Sequence, residues 1–173
     1  MFAGLLRCDE VAVFTYRPTA KLARRLGTQP AVQQQPTTTQ LGDWYGNLLR
    51  FGHYQMILCT SDKSLLSVVL PAKDAKRSLP VSLPMAVGAL LHAIGVRDLR
   101  IQSELDAMRE AVVGKPLSRS VLGSMNDLAF GLMCRLEGDP GAPFLDLALE
   151  LAETPCSPLG YDSPLTTARR LLS

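Results

Sequence analysis

Apolar positions recur at two different spacings along this chain, and the change of spacing divides it. At about 100° of rotation per residue, Val121, Leu122, Met125, Leu128, Ala129, Leu132, Met133 and Leu136 fall on one arc. They predict the longest helix, over residues 120 to 137. Ser118 or Ser120 can cap its start with a hydroxyl that accepts from first-turn N–H groups, and Gly138 followed by Pro140 ends it. The opposite arc, Gly123, Ser124, Asp127, Gly131 and Cys134, is made of small residues. A second element can approach closely there, so the pattern predicts a central helix covered on both faces, with Asp127 partly buried and Asn126 at the edge of the apolar arc.

Upstream the period falls to two. Trp44 to Phe51, Tyr54 to Thr60 and Leu65 to Leu70 read as strands joined at Gly52-His53 and Ser61-Asp62-Lys63, the spacing of an antiparallel meander. In the first of these strands Tyr45, Asn47, Leu49 and Phe51 share one face and Trp44, Gly46, Leu48 and Arg50 the other. Helices are expected to cover one side, and Asp43 and Asn47 are polar exceptions on the Tyr45 side. An earlier strand is predicted at residues 11 to 16, then a short helix from a Thr19 cap to Leu26 that stops at Gly27. Residues 28 to 40, rich in Gln, Thr and Pro, have almost nothing to bury and predict an exposed connection.

Everything after Pro71 reads as helical. Ser82 before Pro84 starts a helix to Ile94, and Ser103 with Asp106 resembles a capping box for a helix ending near Val113 and Gly114. Phe144 to Ala152 and Ser163-Pro164 to Leu172 supply two more. Strands and helices do not alternate regularly. The expected fold is therefore α+β: a short antiparallel meander packed against a mostly helical C-terminal half, in a single domain over residues 1–173.

Composition narrows the class without naming a reaction. A 47% hydrophobic and 20% charged chain suits one sizeable core. No apolar run approaches the ~18 residues of a membrane span, and Arg7, Asp9 and Glu10 interrupt the apolar start before it forms a signal peptide. A cytoplasmic protein is expected, with no membrane partner. The cysteines Cys8, Cys59, Cys134 and Cys156 are widely separated and only His53 and His92 accompany them, so no metal site and no cofactor is expected. Cys59 and Cys134 read as small buried hydrophobes, whereas Cys156 falls in a Pro-rich loop where a thiol can be exposed. Residues 1 to 77 hold ten Lys/Arg against five Asp/Glu, net +5, and residues 78 to 173 carry net −3. Lys21, Arg24 and Arg25 on one helix and Lys73, Lys76 and Arg77 after the last strand form a basic patch if the two stretches meet.

Leu41-Gly42-Asp43-Trp44-Tyr45-Gly46-Asn47-Leu48, Arg119-Ser120-Val121-Leu122-Gly123-Ser124-Met125-Asn126-Asp127 and Ala152-Glu153-Thr154-Pro155-Cys156-Ser157-Pro158-Leu159 resemble segments of a family of small bacterial proteins with no assigned function. The resemblance spans about residues 11 to 172. It implies a bacterial cytoplasmic origin and supplies no reaction, cofactor or substrate.

The candidate site residues are Asp43, Trp44, Asn47, Arg119, Ser124, Asn126 and Asp127. They admit two functions of different class. The first is a binding module for protein or nucleic acid, one part of an accessory or mobile-element system, with Trp44, Tyr45, the basic residues and the Gln-rich segment as contact surfaces. The second is a small hydrolase or nuclease in which Asp43 and Asp127 divide acid and base roles or hold Mg²⁺, Asn126 orients a water and Arg119 stabilises a developing anion. A serine triad from Ser120 or Ser124 with His53 or His92 has no visible acidic partner or nucleophile elbow. An Arg119, Asn126 and Asp127 network that only fixes the helix is the structural alternative to a site.

Overall fold

The computed structural model describes residues 13–31 and 36–173. Val11 and Ala12 of the expected first strand, Cys8, the interrupted apolar start and the glutamines at 33–35 lie outside the described residues. The remaining chain is α+β, with the meander at its centre. Strand β1 (Val13–Pro18) leads into α1 (Ala20–Leu26), β2 (Trp44–Phe51), β3 (Tyr54–Ser61) and β4 (Ser67–Pro71). Helices α2 (Ala75–Ala93) and α3 (Asp98–Ala107) follow, then β5 (Glu110–Val113), α4 (Arg119–Gly138), α5 (Phe144–Glu153) and α6 (Pro164–Leu171).

The five strands form one mixed sheet in the order β4-β3-β2-β1-β5. The β2-β3-β4 part is the expected antiparallel meander, and β1 runs parallel to both β2 and β5. Strand β5 corrects the expectation that everything after Pro71 is helical. The helix before it ends at Ala107, and Glu110 to Val113 pair with Val13 to Tyr16. Four residues are too few to show a period, so the β-branched Val112-Val113 pair is hidden in a helical pattern; the open edge of β1 draws it into the sheet. The Ser103/Asp106 capping box is overturned as well. Both residues lie inside α3, where Asp106 accepts from Gln102 and Arg109 instead of starting a helix.

Helix α2 starts at Ala75, seven residues earlier than Ser82, and contains both Pro80 and Pro84. An interior proline costs about 3 kcal/mol in helix propensity. Leu79, Leu83, Val87, Leu90 and Leu91 of this helix are all buried, and at about 1.5–3 kcal/mol for each large apolar side chain their burial outweighs the two prolines.

Period-two alternation in the strands gives the sheet two apolar faces. Phe14, Tyr16, Trp44, Leu48, Ile57, Cys59, Val68 and Leu70 join α1, α2 and the α6 residue Ala168 in one core. Tyr45, Met56, Leu58 and Val69 join the Val121–Leu136 stripe of α4 and Leu147 and Leu151 of α5 in the other. Helices thus cover both sides, where one was expected, and α5 contributes to each core, with Ala148 and Ala152 facing the first. The connection before β2 is also less free than its composition suggests. Thr38 donates to the Val13 carbonyl, the Ala31 N–H donates to Val113, and Thr39 is buried with its hydroxyl on the Gly42 carbonyl.

Candidate functional site

The Leu41 to Asn47 segment enters the sheet at the start of β2, and its polar groups are occupied there. Glu104, buried on α3, accepts the N–H groups of Gln40 at 2.8 Å and Leu41 at 3.0 Å. Burial pushes its carboxyl above the ordinary glutamate range, and those two N–H groups pull it part of the way back. Gly42 turns the chain at φ +84°, and a Cβ there would stand 1.9 Å from Asp62 Oδ1. Only glycine fits that turn. The Asp43 N–H then reaches Asp62 Oδ1 at 3.0 Å, while the Asp43 carboxylate accepts from Arg17 Nε at 2.7 Å in a largely buried ion pair. Arg17 Nη1 also donates to the Lys115 carbonyl, tying β1 to the segment before α4.

Burial, followed by the neighbouring Asp43 charge, raises the Asp62 carboxyl, against the pull of the Asp43 N–H, Lys63 and Arg17. Trp44 is fully buried in the first core, with its indole Nε1 unpartnered among the described residues. The Tyr45 hydroxyl accepts from the Ser118 N–H at 3.2 Å and thereby joins β2 to the start of α4. Gly46 leaves room for the Tyr16 ring, whose hydroxyl would be 1.9 Å from a Cβ. Asn47 Oδ1 accepts from Thr19 at the start of α1. Each residue of the segment therefore has an internal structural task.

The α4 segment is positioned by Ser118, whose hydroxyl accepts from the Val121 N–H as expected. Val121 and Met125 are buried in the second core, and Ser124 is buried as well. The rest of the small arc, however, faces out with Asn126: Gly123, Asp127, Gly131 and Cys134 are exposed, and a Cβ at Gly123 or Gly131 would meet nothing within 4 Å. The small arc is therefore not the second covered face that was expected: of its five residues only Ser124 is buried. Arg119 is also exposed and makes no ion pair with Asp127 among the described residues. The charge of Asp127 acts instead on Cys156, whose thiol is raised mainly by burial.

Cys156 corrects the exposed-thiol expectation. It is buried in the second core and its Sγ donates to the Thr154 carbonyl, whereas Cys134, expected inside, is exposed. Cys59 is buried as expected beside the Tyr16 hydroxyl, and burial pushes its thiol up to about 12. Among the described residues no group of three or more His, Cys, Asp or Glu could hold a metal ion. None of their helices is long and apolar enough to cross a membrane.

At the other end of β2 the chain turns at Gly52-His53, and this turn lines an open cleft of about 610 Å³. Its floor is apolar, with Met56, Leu136 and Ala142, and its walls carry Phe51, Tyr54 and Phe144 together with Arg25, His53 and Lys73. Arg25 comes from α1 and Lys73 from the link between β4 and α2. The two basic stretches do approach one another, since a Cβ on Gly27 at the end of α1 would lie 3.6 Å from Lys76 Nζ. Lys21, Arg24, Arg25, Lys73, Lys76 and Arg77 are all exposed. None of them takes part in an ion pair among the described residues.

The turn-borne aromatic Tyr54 and the facing Phe144 were not singled out by their sequence, which marks the hairpin but not what closes over it. Arg17 and Glu104 were missed for a similar reason: their partners are 26 and more than 60 residues away.

An α+β domain with a mixed five-stranded sheet, an internally satisfied polar cluster at one end of β2 and a basic, aromatic cleft at the other is the class that fold and site define. The chain belongs to the family described as a domain of unknown function, DUF6933, whose model matches residues 15–167. No curated protein and no solved structure matches it.

Proposed function

We propose that this domain is a binding module that takes an anionic macromolecule on the basic surface around the β2-β3 turn. The observation that carries this reading is that Arg25 of α1 and Lys73 after β4 line one cleft while Lys76 approaches the end of α1, in two stretches whose basic residues Lys21, Arg24, Arg25, Lys73, Lys76 and Arg77 are all exposed and outside any described ion pair. Cations in such a group repel one another when the chain is alone, and a partner of opposite charge relieves that repulsion and is steered toward it. The hydrolase or nuclease reading draws less support. Asp43 is committed to Arg17, and Arg119, Asn126 and Asp127 are spread along an exposed helix face.

Capture from bacterial lysate, with and without nuclease treatment, tests the proposal when wild type is compared with an Arg25→Glu, Lys73→Glu double variant. Wild type is expected to retain nucleic acid or an acidic protein and to release it as salt rises, and the charge-reversed variant to retain neither. Equal capture by both proteins would overturn the basic surface as the binding face.

A further inference from the structure

The geometry points to unpaired bases of single-stranded nucleic acid as the occupant of the cleft at the β2-β3 turn. This rests on the anionic-partner reading and adds the aromatic residues to it. Tyr54 is 70% exposed and Phe144 37% exposed, although aromatic side chains normally contribute most when buried. Tyr54 pairs across the hairpin with Phe51, and Phe51 packs on the second core, so the ring is carried on a braced strand end. Phe144, the first residue of α5, lines the same cleft. Arg25 and Lys73 line it too, and no carboxylate among the described residues does. Of the acids adjacent in sequence, Asp139 is drawn toward Arg135 at 3.7 Å and accepts from the Gly141 N–H, and Asp74 precedes the first residue of α2.

Cations beside exposed rings match a strand that offers phosphates and free π-faces together. A duplex keeps its base faces stacked inside, and an acidic peptide would engage the cations while leaving the rings unused. The cleft volume falls in the range of sites that enclose small ligands, with an apolar floor and polar rim suited to a base held by its face.

Fluorescence anisotropy with short, labelled, mixed-sequence single strands of DNA and of RNA tests this, alongside matched duplexes and an abasic strand of equal charge. The single strands are expected to bind at least about fivefold more tightly than the abasic strand. Tyr54→Ala is expected to lose about fivefold or more, and Tyr54→Trp to recover it. Because Tyr54 is exposed, thermal melts of both variants should superimpose on wild type. Arg25→Ala with Lys73→Ala should lower the slope of log affinity against log salt by about 1.4, at about 0.7 for each phosphate of a single strand that is no longer neutralised. Equal binding of abasic and base-bearing strands, or an unchanged Tyr54→Ala, would overturn base stacking and leave the anionic-partner reading standing. Failure of every nucleic-acid probe, with charge-dependent capture of an acidic protein from lysate, would overturn this inference alone; failure of both experiments would overturn the two together.

Discussion

The two ends of β2, roughly 25 Å apart for eight residues at about 3.3 Å each, treat charge in opposite ways. At the entry end Arg17, Asp43, Asp62 and Glu104 all find partners within the chain, drawn from β1, the turns around β2 and α3. At the turn end Arg25, Lys73 and their neighbours stand exposed around a cleft with aromatic walls. A charge already satisfied inside the fold positions the backbone, and a charge left in solvent remains available to something else. The acidic residues and asparagine around Trp44 are bonded to β1, α1 and the turn after β3, and so form a joint between the sheet and its neighbours.

Removing charge at each end separates these roles most sharply. Asp43→Ala removes the carboxylate from a largely buried pair while Arg17 keeps its bond to the Lys115 carbonyl, and removing one partner of a buried pair costs about 3–5 kcal/mol. At about 2–4 °C for each kcal/mol in a domain of this size, the melting temperature should fall by roughly 6–20 °C. Arg25→Glu with Lys73→Glu should shift stability by no more than about 0.5 kcal/mol per site, while abolishing capture of the proposed anionic partner. A melting temperature that falls as far for the exposed pair as for Asp43→Ala would erase the contrast between the two ends.

Glu104→Gln should cost less, about 1–3 kcal/mol. Glutamine keeps the shape but presents one oxygen and one NH₂ to two N–H donors, so either Gln40 or Leu41 loses its acceptor. Chemical denaturation of the purified variant measures the loss. Unchanged stability would mean that the carboxylate is dispensable to the turn it caps.

The legibility of the fold follows the same division. The meander, α4 and α5 were readable because alternation or helical spacing runs through each of them. The ends of α1, α4 and α6 are marked by local stops or caps: Gly27 in left-handed geometry, Ser118 on Val121, Ser163 on Thr166. Strand β5 and the early start of α2 were not readable, because the first is fixed by the distant edge of β1 and the second by burial that overrides Pro80 and Pro84. At the site, the sequence showed which residues were polar in unusual places but not their partners. Asp43 meets Arg17 and Asp62 only once β1, β2 and the turn after β3 are assembled. The small arc of α4 looked like a packing surface because small residues permit close approach; they do not compel it, and Asp127 stays exposed. The six basic residues were visible, whereas the aromatic pair beside them required the turn and α5 to be brought together.

The smallest effect tests the entry end from within. Asp62 holds the Asp43 N–H through Oδ1, and Asn keeps that acceptor while removing the charge that opposes Asp43. Burial first, and the Asp43 charge second, raise the Asp62 carboxyl above its unfolded value, so the folded chain binds the proton more readily in the window just above the ordinary Asp range. Stability from this group is therefore fully present below the unfolded value and is lost as pH rises through the folded one. Asp62→Asn should melt at or slightly above the wild-type temperature at neutral pH, and that advantage should vanish as acid protonates Asp62 in the wild type. Melting curves of both proteins from neutral to acid pH measure the difference directly, and Glu104, also raised, cancels because it is common to the two. A deficit of the variant at neutral pH that closes as acid protonates Asp62 in the wild type would show that the pull of Arg17 and Lys63 on the ionised Asp62 outweighs its repulsion by Asp43, and that the cluster at the entry to β2 needs both carboxylates charged.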